Sequence, residues 1–282
     1  MITDFIGNTP IVRLNGFEKA NKIKANIYAK LEYLNPFGSI KDRAAYRIIC
    51  DAEREGLLNK NMEIIEASSG NMGIAVAAIS SLKGYKCTII MPQNMSEKRK
   101  QLIRSYGADL ILTKAENGMS ESMNMLENLK TKYSFFTRQF DNYSNSRAHY
   151  YSTAPEIEKS LKGKADMIIC GIGSGGTASG LNSYFKDTEI RGVLPLSQND
   201  NIAGIGAGFI PKILDKSIYD NALRVSSLEA ERERDELIKT DGIFVGYSSG
   251  AILSAVKQLC KTQEYVNKNI VLIFADSGER YL

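Results

Sequence analysis

The sequence predicts an α/β fold: two lobes of twisted, mostly parallel sheet flanked by helices. Three observations carry that prediction. Apolar runs of strand length alternate with segments of helical period along most of the chain, the pattern of a parallel sheet with helices on both faces. Three Gly- and Ser-rich turns, 68–73, 173–177 and 246–250, each follow an apolar run and precede a helical segment. Ligands of open parallel sheets bind at such places, beyond the carboxyl ends of the strands. Finally, 282 residues that are 43% hydrophobic and 24% charged suffice for one large core or two modest ones.

Taken in order, Gly7-Asn8-Thr9-Pro10 is a turn, and 11–14 and 27–32 read as strands. The stretch Asn35-Pro36-Phe37-Gly38-Ser39-Ile40-Lys41-Asp42-Arg43 follows. Pro36 and Gly38 bend the backbone, and Ser39 with Asp42 reads as a helix N-cap with an acidic first turn. Ala44, Ala45, Ile48, Ile49 and Ala52 then repeat at helical spacing until Gly56. Strands are expected over 62–67, 87–92 and 108–112, with helices starting at Ile74 and Ser96. Residues 114–150 are polar, with a helix near 120–133 and a strand near 134–140. The Asn- and Ser-rich run 141–147 reads as a loop crossing between lobes. The lobes are accordingly a smaller one over 36–145 and a larger one combining 1–35 with 146–282. Further on come a helix over 153–161, a strand over 166–170, a helix over 178–185 and a strand over 190–194. A loop over 195–208, a helix from the 246–250 turn to about 259 and a strand over 269–275 complete the series.

Composition excludes several classes. A net charge of +4 is too small to argue for nucleic acid. Cys50, Cys87, Cys170 and Cys260 are far apart and form no C-x-x-C pair, which points to buried free thiols in a reducing compartment and to no metal site. The N-terminus has no signal-peptide pattern, and no run reaches the ~18 apolar residues of a membrane helix. A cytoplasmic protein is expected. His149 is the single histidine, so a Ser-His-Asp triad is excluded unless His149 is its base. Acid–base work falls to a lysine, a carboxylate or a cofactor.

Lys41 falls in a first helical turn, where the helix dipole disfavours its charge. Desolvation would push the amine further toward neutrality, and a neutral lysine is the nucleophile that a Schiff base requires. Alone, the stretch equally describes an exposed lysine near a helix start. The turn Gly173-Ser174-Gly175-Gly176-Thr177 offers backbone N–H groups, hydroxyls and a helix N-terminus, which suit a phosphate. Glycines at 171, 173 and 176 also match a dinucleotide pattern. No acidic residue ends the next strand, however, and no P-loop lysine follows, so a phosphate monoester is preferred to NAD or ATP. The alternative is a glycine turn that simply packs tightly. The turn Ser68–Gly73 can hold a carboxylate on its N–H groups and the Ser69 hydroxyl, with Asn71 reaching a ring substituent; the alternative is an ordinary helix cap. A Schiff-base lysine, a phosphate cradle and a carboxylate cradle together suit pyridoxal phosphate and an amino acid.

At this point the chain resembles the cysteine synthase and cystathionine β-synthase family of pyridoxal-phosphate-dependent enzymes. The resemblance lies in Gly7–Pro10, Asn35–Arg43, Ser69–Asn71, Gly171–Thr177, Gly204–Pro211, Gly246–Ala251 and Asp276–Leu282. It implies a tryptophan-synthase-β-like fold (fold type II), with the cofactor between lobes that close over substrate. It also implies that Lys41 carries pyridoxal 5'-phosphate, that Asn71 meets the ring hydroxyl, and that Ser248 meets the pyridine nitrogen. Gly173, Ser174, Gly175, Gly176 and Thr177 would hold the phosphate. Ser68, Ser69, Asn71, Met72 and Gln139 would line the substrate carboxylate site. The implied reaction is β-replacement on an O-activated L-serine by sulfide, through an aminoacrylate, giving L-cysteine, with Lys41 as the base. Other β-chemistry on the same fold is the alternative: cysteine desulfhydration, or lanthionine, cystathionine or diaminopropionate synthesis. A dinucleotide-binding oxidoreductase and a catalytically silent binding partner represent other classes. A homodimer is implied as well. Met72 stands where the family has Thr, Leu194-Pro195 where it has Glu-Pro, and Asp200 where it has His, and 193–204 is short. These positions bear on the first substrate and on any serine acetyltransferase peptide as a partner.

Overall fold

Ten strands are present among the described residues, which are all of 1–282 in this computed structural model except Ser69, Lys162, Gln198, Asn199 and Asn201. They are β1 (Ile11–Arg13), β2 (Asn26–Leu31), β3 (Glu63–Ala67), β4 (Lys86–Pro92), β5 (Asp109–Thr113), β6 (Ser134–Phe136), β7 (Met167–Gly171), β8 (Glu189–Pro195), β9 (Leu223–Val225) and β10 (Asn269–Phe274). Six form one sheet in the order β1-β2-β10-β7-β8-β9, and four form a second in the order β5-β4-β3-β6. Every pairing is parallel except that of β1 with β2. Parallel neighbours need long crossovers. Helices supply most of them: α1 (Asn15–Ala20), α2 (Lys41–Arg54), α3 (Asn71–Lys83), α4 (Glu97–Ser105), α5 (Gly118–Asn128), α6 (Tyr143–Ala148), α7 (Ala154–Ser160), α8 (Gly176–Tyr184), α9 (Lys216–Asp220), α10 (Ser227–Asp241) and α11 (Tyr247–Leu259).

Period-two alternation decides which face each strand residue serves. In the six-stranded sheet, Ile270, Leu272 and Phe274 of β10 and Met167 and Ile169 of β7 join one core with Phe17 of α1 and Ala251–Val256 of α11. Val271, Ile273, Ile168 and Cys170 face the other way, toward Ala154 and Ile157 of α7 and Ala178 and Leu181 of α8. The four-stranded sheet repeats the arrangement. Ile64, Cys87, Ile89 and Met91 pack under α2 and α3, while Ile65, Ala67 and Ile90 meet Leu126 of α5. Both sheets are therefore covered on both faces, as near-continuous apolar strands require. No helix among the described residues is long and apolar enough to cross a membrane.

Three segments depart from the sequence reading. The Asn-rich run 141–147 is a loop only at its start, because Tyr143–Ala148 forms α6. Asn142 caps that helix by accepting from Ser144 N at 3.0 Å, so the residues taken as loop formers are its cap and its buried contacts. The 246–250 turn does not follow a strand. Gly242 adopts φ 69° as the left-handed end of α10, which leaves too few residues before α11, and only Val245 bridges Ser277. The run 209–241 carries α9, β9 and α10, none of which apolar periodicity signalled. Its one sequence mark is the capping box of Ser226 with Glu229. All four cysteines are free, with Cys87 and Cys170 buried and Cys50 and Cys260 partly exposed.

Candidate active site

Helix α2 starts at Lys41 because the loop before it is stitched to the end of β10. Ile40 N donates to Ala275 O at 2.9 Å, and Ser39 forms an antiparallel bridge with Asp276. Ser39 is thereby held in extended backbone, so the N-cap falls on Ile40, one residue later than the sequence suggests. The Ser39 hydroxyl still accepts from Lys41 N at 3.2 Å, and Asp42 accepts from Phe37 N at 2.7 Å. Gly38, at φ 83°, is required on two counts, since a Cβ there would also overlap the Arg280 guanidinium.

The side chain of Lys41 enters a cavity lined by Asn71, Gly173, Ser174, Ser248 and Asp276. Its Nζ donates to Ser174 Oγ at 3.2 Å. Burial of the ammonium lowers its pKa to about 8, against the opposing charges of Glu66 and Asp276. Helices α3, α8 and α11 all begin at this cavity, and none has a side-chain cap. Their first-turn N–H groups have no intrahelical acceptor, so three positive helix ends converge on one small volume.

The phosphate-loop residues are shaped by close approach. A Cβ on Gly173 would overlap the carbonyl of Gly204, and one on Gly176 would overlap the Asn145 side chain. Gly175, at φ 83°, turns the chain into α8. Gly176→Ala is therefore expected to destabilise the protein by about 1–3 kcal/mol through overpacking, read as a shift in the urea midpoint; an unchanged midpoint would show that α6 yields freely. Ser174 Oγ accepts from Asn145 Nδ2 at 2.9 Å as well as from Lys41, which leaves its own O–H to donate into the cavity. Thr177 Oγ1 meets His149 Nε2 at 3.3 Å, and His149 Nδ1 meets Thr153 Oγ1 at 2.9 Å. Burial lowers the His149 pKa to about 3, and the Arg43 charge adds to that. The ring is oriented by two threonine hydroxyls, with no carboxylate on either nitrogen, and its lowered basicity makes it a poor proton acceptor, so it does not have the setting of a triad base.

The remaining expected residues divide. Asn71, the first residue of α3, is held in the cavity wall: its Nδ2 donates to Asp276 Oδ2 at 2.6 Å, and its Oδ1 accepts from Arg280 at 2.9 Å. Ser248 is buried at the cavity with no hydrogen-bond partner for its hydroxyl among the described residues. Ser68 is buried, and its Oγ accepts from Gly70 N at 3.3 Å. Ser69 lies outside the described residues. The Met72 side chain is in the core between α2 and α3, so its part in a carboxylate site would be its backbone N–H. Gln139 lines a neighbouring, more open cavity together with Glu66, Phe140 and Phe209. Asp200 clamps the start of α10, accepting from Ser227 N at 3.0 Å.

The sequence reading missed Asp276, Glu66 and Asn145. Burial raises the pKa of Asp276, while Tyr281 and Asn71 donate to it. Asp276 and Lys41 are far apart in sequence, and the β10 bridge brings them together. Asn145 fell in the run read as loop, and its amide links Gln139 O at 2.7 Å to Ser174.

Comparison with known proteins places this geometry. A family model described as pyridoxal-phosphate dependent enzyme matches residues 2–276. A cysteine synthase of Buchnera aphidicola subsp. Schizaphis graminum is 43% identical over 98% of this chain and 92% of that relative. Among solved structures, the cysteine synthase of Entamoeba histolytica superposes with a TM-score of 0.93 at 36% identity, covering 100% of this chain and 88% of its own. A hydrogen sulfide-producing enzyme of Fusobacterium nucleatum superposes with a TM-score of 0.92 at 40% identity, covering 100% of this chain and 99% of its own.

Proposed function

This chain belongs to the pyridoxal-phosphate dependent enzymes, in the cysteine synthase family, and on that premise we infer how its own residues carry the reaction. The protein is a pyridoxal-phosphate enzyme that makes L-cysteine from an O-activated L-serine and sulfide. The dinucleotide and silent-partner readings give way to this assignment.

The cavity fits the cofactor. The uncapped start of α8 and the free Ser174 O–H suit a phosphate, glycines at 173, 175 and 176 let the loop pack against Gly204, Leu214 and Asn145, and Ser248 has a hydroxyl to spare for a ring nitrogen. Lys41 would join the aldehyde carbon, Asn71 the ring hydroxyl, Gly173–Thr177 the phosphate and Ser248 the pyridine nitrogen. Ser68, Ser69, Asn71, Met72 and Gln139 would receive the substrate carboxylate. Bound pyridoxal phosphate supplies the electron sink that makes the Cα proton of an amino acid removable.

The observation that carries the reading is Lys41 Nζ, held 3.2 Å from Ser174 Oγ at the cavity with its pKa brought down to about 8. With that pKa roughly a quarter of the amine is neutral at pH 7.5, enough to attack a carbonyl and, once displaced by substrate, to accept the Cα proton at Nζ. Departure of the oxygen substituent from Cβ, addition of sulfide there and return of the proton from Lys41 Nζ to Cα would complete the replacement. Ser248 would offer the ring nitrogen a neutral hydroxyl where a carboxylate would keep it protonated, which would moderate the electron sink and favour elimination over transamination.

A second reading, sulfide release from cysteine, is favoured by the end-to-end match to the Fusobacterium nucleatum enzyme, described as hydrogen sulfide-producing. Purified protein given O-acetylserine plus sulfide, and separately cysteine alone, distinguishes them. Cysteine formation outpacing sulfide release supports synthesis, and the reverse ratio supports release. We further expect residues 36–145 to move as the smaller lobe over substrate. A homodimer in the cytoplasm is also expected, with light scattering as the check on its size.

A further inference from the structure

We propose that Glu66 is a positioning residue whose carboxylate sets Gln139 for recognition of the substrate carboxylate. The proposal deepens the function above and rests on the reading of Gln139 as a carboxylate ligand.

Glu66 lies in the middle strand run of β3, between Ile65 and Ala67, and is 4% exposed. An apolar residue would satisfy that position at no cost, whereas a buried carboxylate must find donors. It finds two, both from one short segment. The Thr137 hydroxyl donates to Oε2, and Gln139 Nε2 donates to Oε1 at 3.0 Å. Burial raises the Glu66 pKa to about 7, and the two donors together with the Lys41 charge oppose that rise.

The segment needs such an anchor. Arg138, between the two donors, has φ 53°, a left-handed conformation that non-glycine residues avoid unless held. The main chain on either side is fixed from α6: Asn142 Nδ2 donates to Thr137 O at 3.0 Å, and Asn145 Nδ2 donates to Gln139 O at 2.7 Å. None of those bonds orients the Gln139 side chain; among the described residues only Glu66 does. An ionised carboxylate only accepts, so the amide must turn its NH2 group toward it. The second N–H of that group is then available to another carboxylate. The same Asn145 also donates to Ser174, which receives Lys41, so the main chain at Gln139 is tied to the loop that meets the reacting amine.

The test uses the cofactor-loaded enzyme with O-acetylserine and sulfide, comparing Glu66→Met, Glu66→Gln, Gln139→Ala and the Glu66→Met/Gln139→Ala double variant. Glu66→Met and Gln139→Ala are each expected to raise KM for O-acetylserine by roughly 10- to 100-fold, the scale of a hydrogen bond to a charged group, with kcat within about 3-fold. The double variant should be no worse than Gln139→Ala, because both changes remove one interaction. Glu66→Gln can accept from Gln139 Nε2 with its one amide oxygen while its NH2 donates to the Thr137 hydroxyl, which can also accept, and should stay within about 3-fold of wild type. Trypsin should cut after Arg138 faster in Glu66→Met than in wild type while circular dichroism is unchanged, and Glu66→Ala serves if methionine does not yield folded protein. If Gln139→Ala raises KM and the Glu66 variants do not, or if the two effects multiply, the positioning role is overturned and the carboxylate reading stands. If Gln139→Ala itself leaves KM unchanged, the carboxylate reading falls and the proposal with it.

Discussion

Lys41→Ala protein, loaded with pyridoxal phosphate, is expected to form cysteine from O-acetylserine and sulfide at least ~1,000-fold more slowly than wild type. On the proposed mechanism the substitution removes two roles at once, the amine that would hold the aldehyde and the base that would take the Cα proton. Lys41 is the one amine among the described residues lining the cavity. Asp276 Oδ2 is taken by Asn71 and Tyr281, Glu66 is bound by Thr137 and Gln139, and His149 meets two threonine hydroxyls. Borohydride reduction followed by peptide mapping should find the pyridoxyl group on the Lys41 peptide in wild type and nowhere in the variant. In cofactor-free protein, acylation of Lys41 should titrate with a midpoint near pH 8 rather than the ordinary 10.5. A variant that kept a tenth of the rate, or an adduct on another lysine, would remove the basis of the mechanism.

The largest stability effect is expected two residues further along the same helix. Arg43 is buried, and its guanidinium reaches Glu32 Oε2 at 2.6 Å and both Glu156 oxygens at 2.7 Å. Lys30 completes the cluster, 2.7 Å from Glu156 and 2.8 Å from Thr9 O. Two acids and two bases thus share one dry volume joining β2, α2 and α7. Such a set adds little as a whole, but removal of one member leaves a buried charge without its partner. Arg43→Leu is therefore expected to cost about 3–5 kcal/mol in urea unfolding, and a loss under about 1 kcal/mol would contradict the account.

The cluster also sets an acid limit. Burial alone would raise the Glu32 pKa, but Arg43 overrides it and brings the group from 4.5 down to about 2. A carboxyl depressed on folding contributes stability that is fully present above its unfolded value and is lost as pH falls through the folded one. Wild-type stability should therefore fall between pH 4.5 and about 2 on account of Glu32. Asp42 and Glu66 act in the opposite sense, because burial raises both to about 7. A carboxyl raised on folding favours the folded state as it protonates, so these two should make the cofactor-free protein more stable as pH drops from 7 toward 4.5. Thermal midpoints measured across that range should pass through a maximum near its acid end, and Arg43→Leu should flatten the acid limb.

Much of the site could be read from the sequence because its parts are local. The glycines of 173–177 and the helical spacing after Lys41 are short-range signals, and the structure brings Lys41, Asn71, Gly173, Ser174 and Ser248 to one cavity. Residues that act through distant partners left no such mark. Asp276 matters because β10 ends beside Ser39, and Glu66 looks like one polar interruption in a strand until Thr137 and Gln139 fold over it. Local rules also misled. Asn142 and Asn145 suggested a loop, yet one caps α6 and the other is buried inside the site. Gly242–Gly246 looked like a strand because Ile243, Phe244 and Val245 are apolar, but the preceding helix takes up the length a strand would need. Met72 came from the resemblance as part of the carboxylate site; its side chain lies in the core beneath α3, which leaves its backbone N–H for that role.

The three helix ends that meet at the cavity have a lasting implication. Their positive character resides in peptide groups shared by every residue type, so it neither titrates with pH nor disappears when a side chain is exchanged. Drift at neighbouring surface positions can retune what enters the cavity while its positive field persists. Loss of that field would require redirecting a helix axis, a far rarer event than a point change.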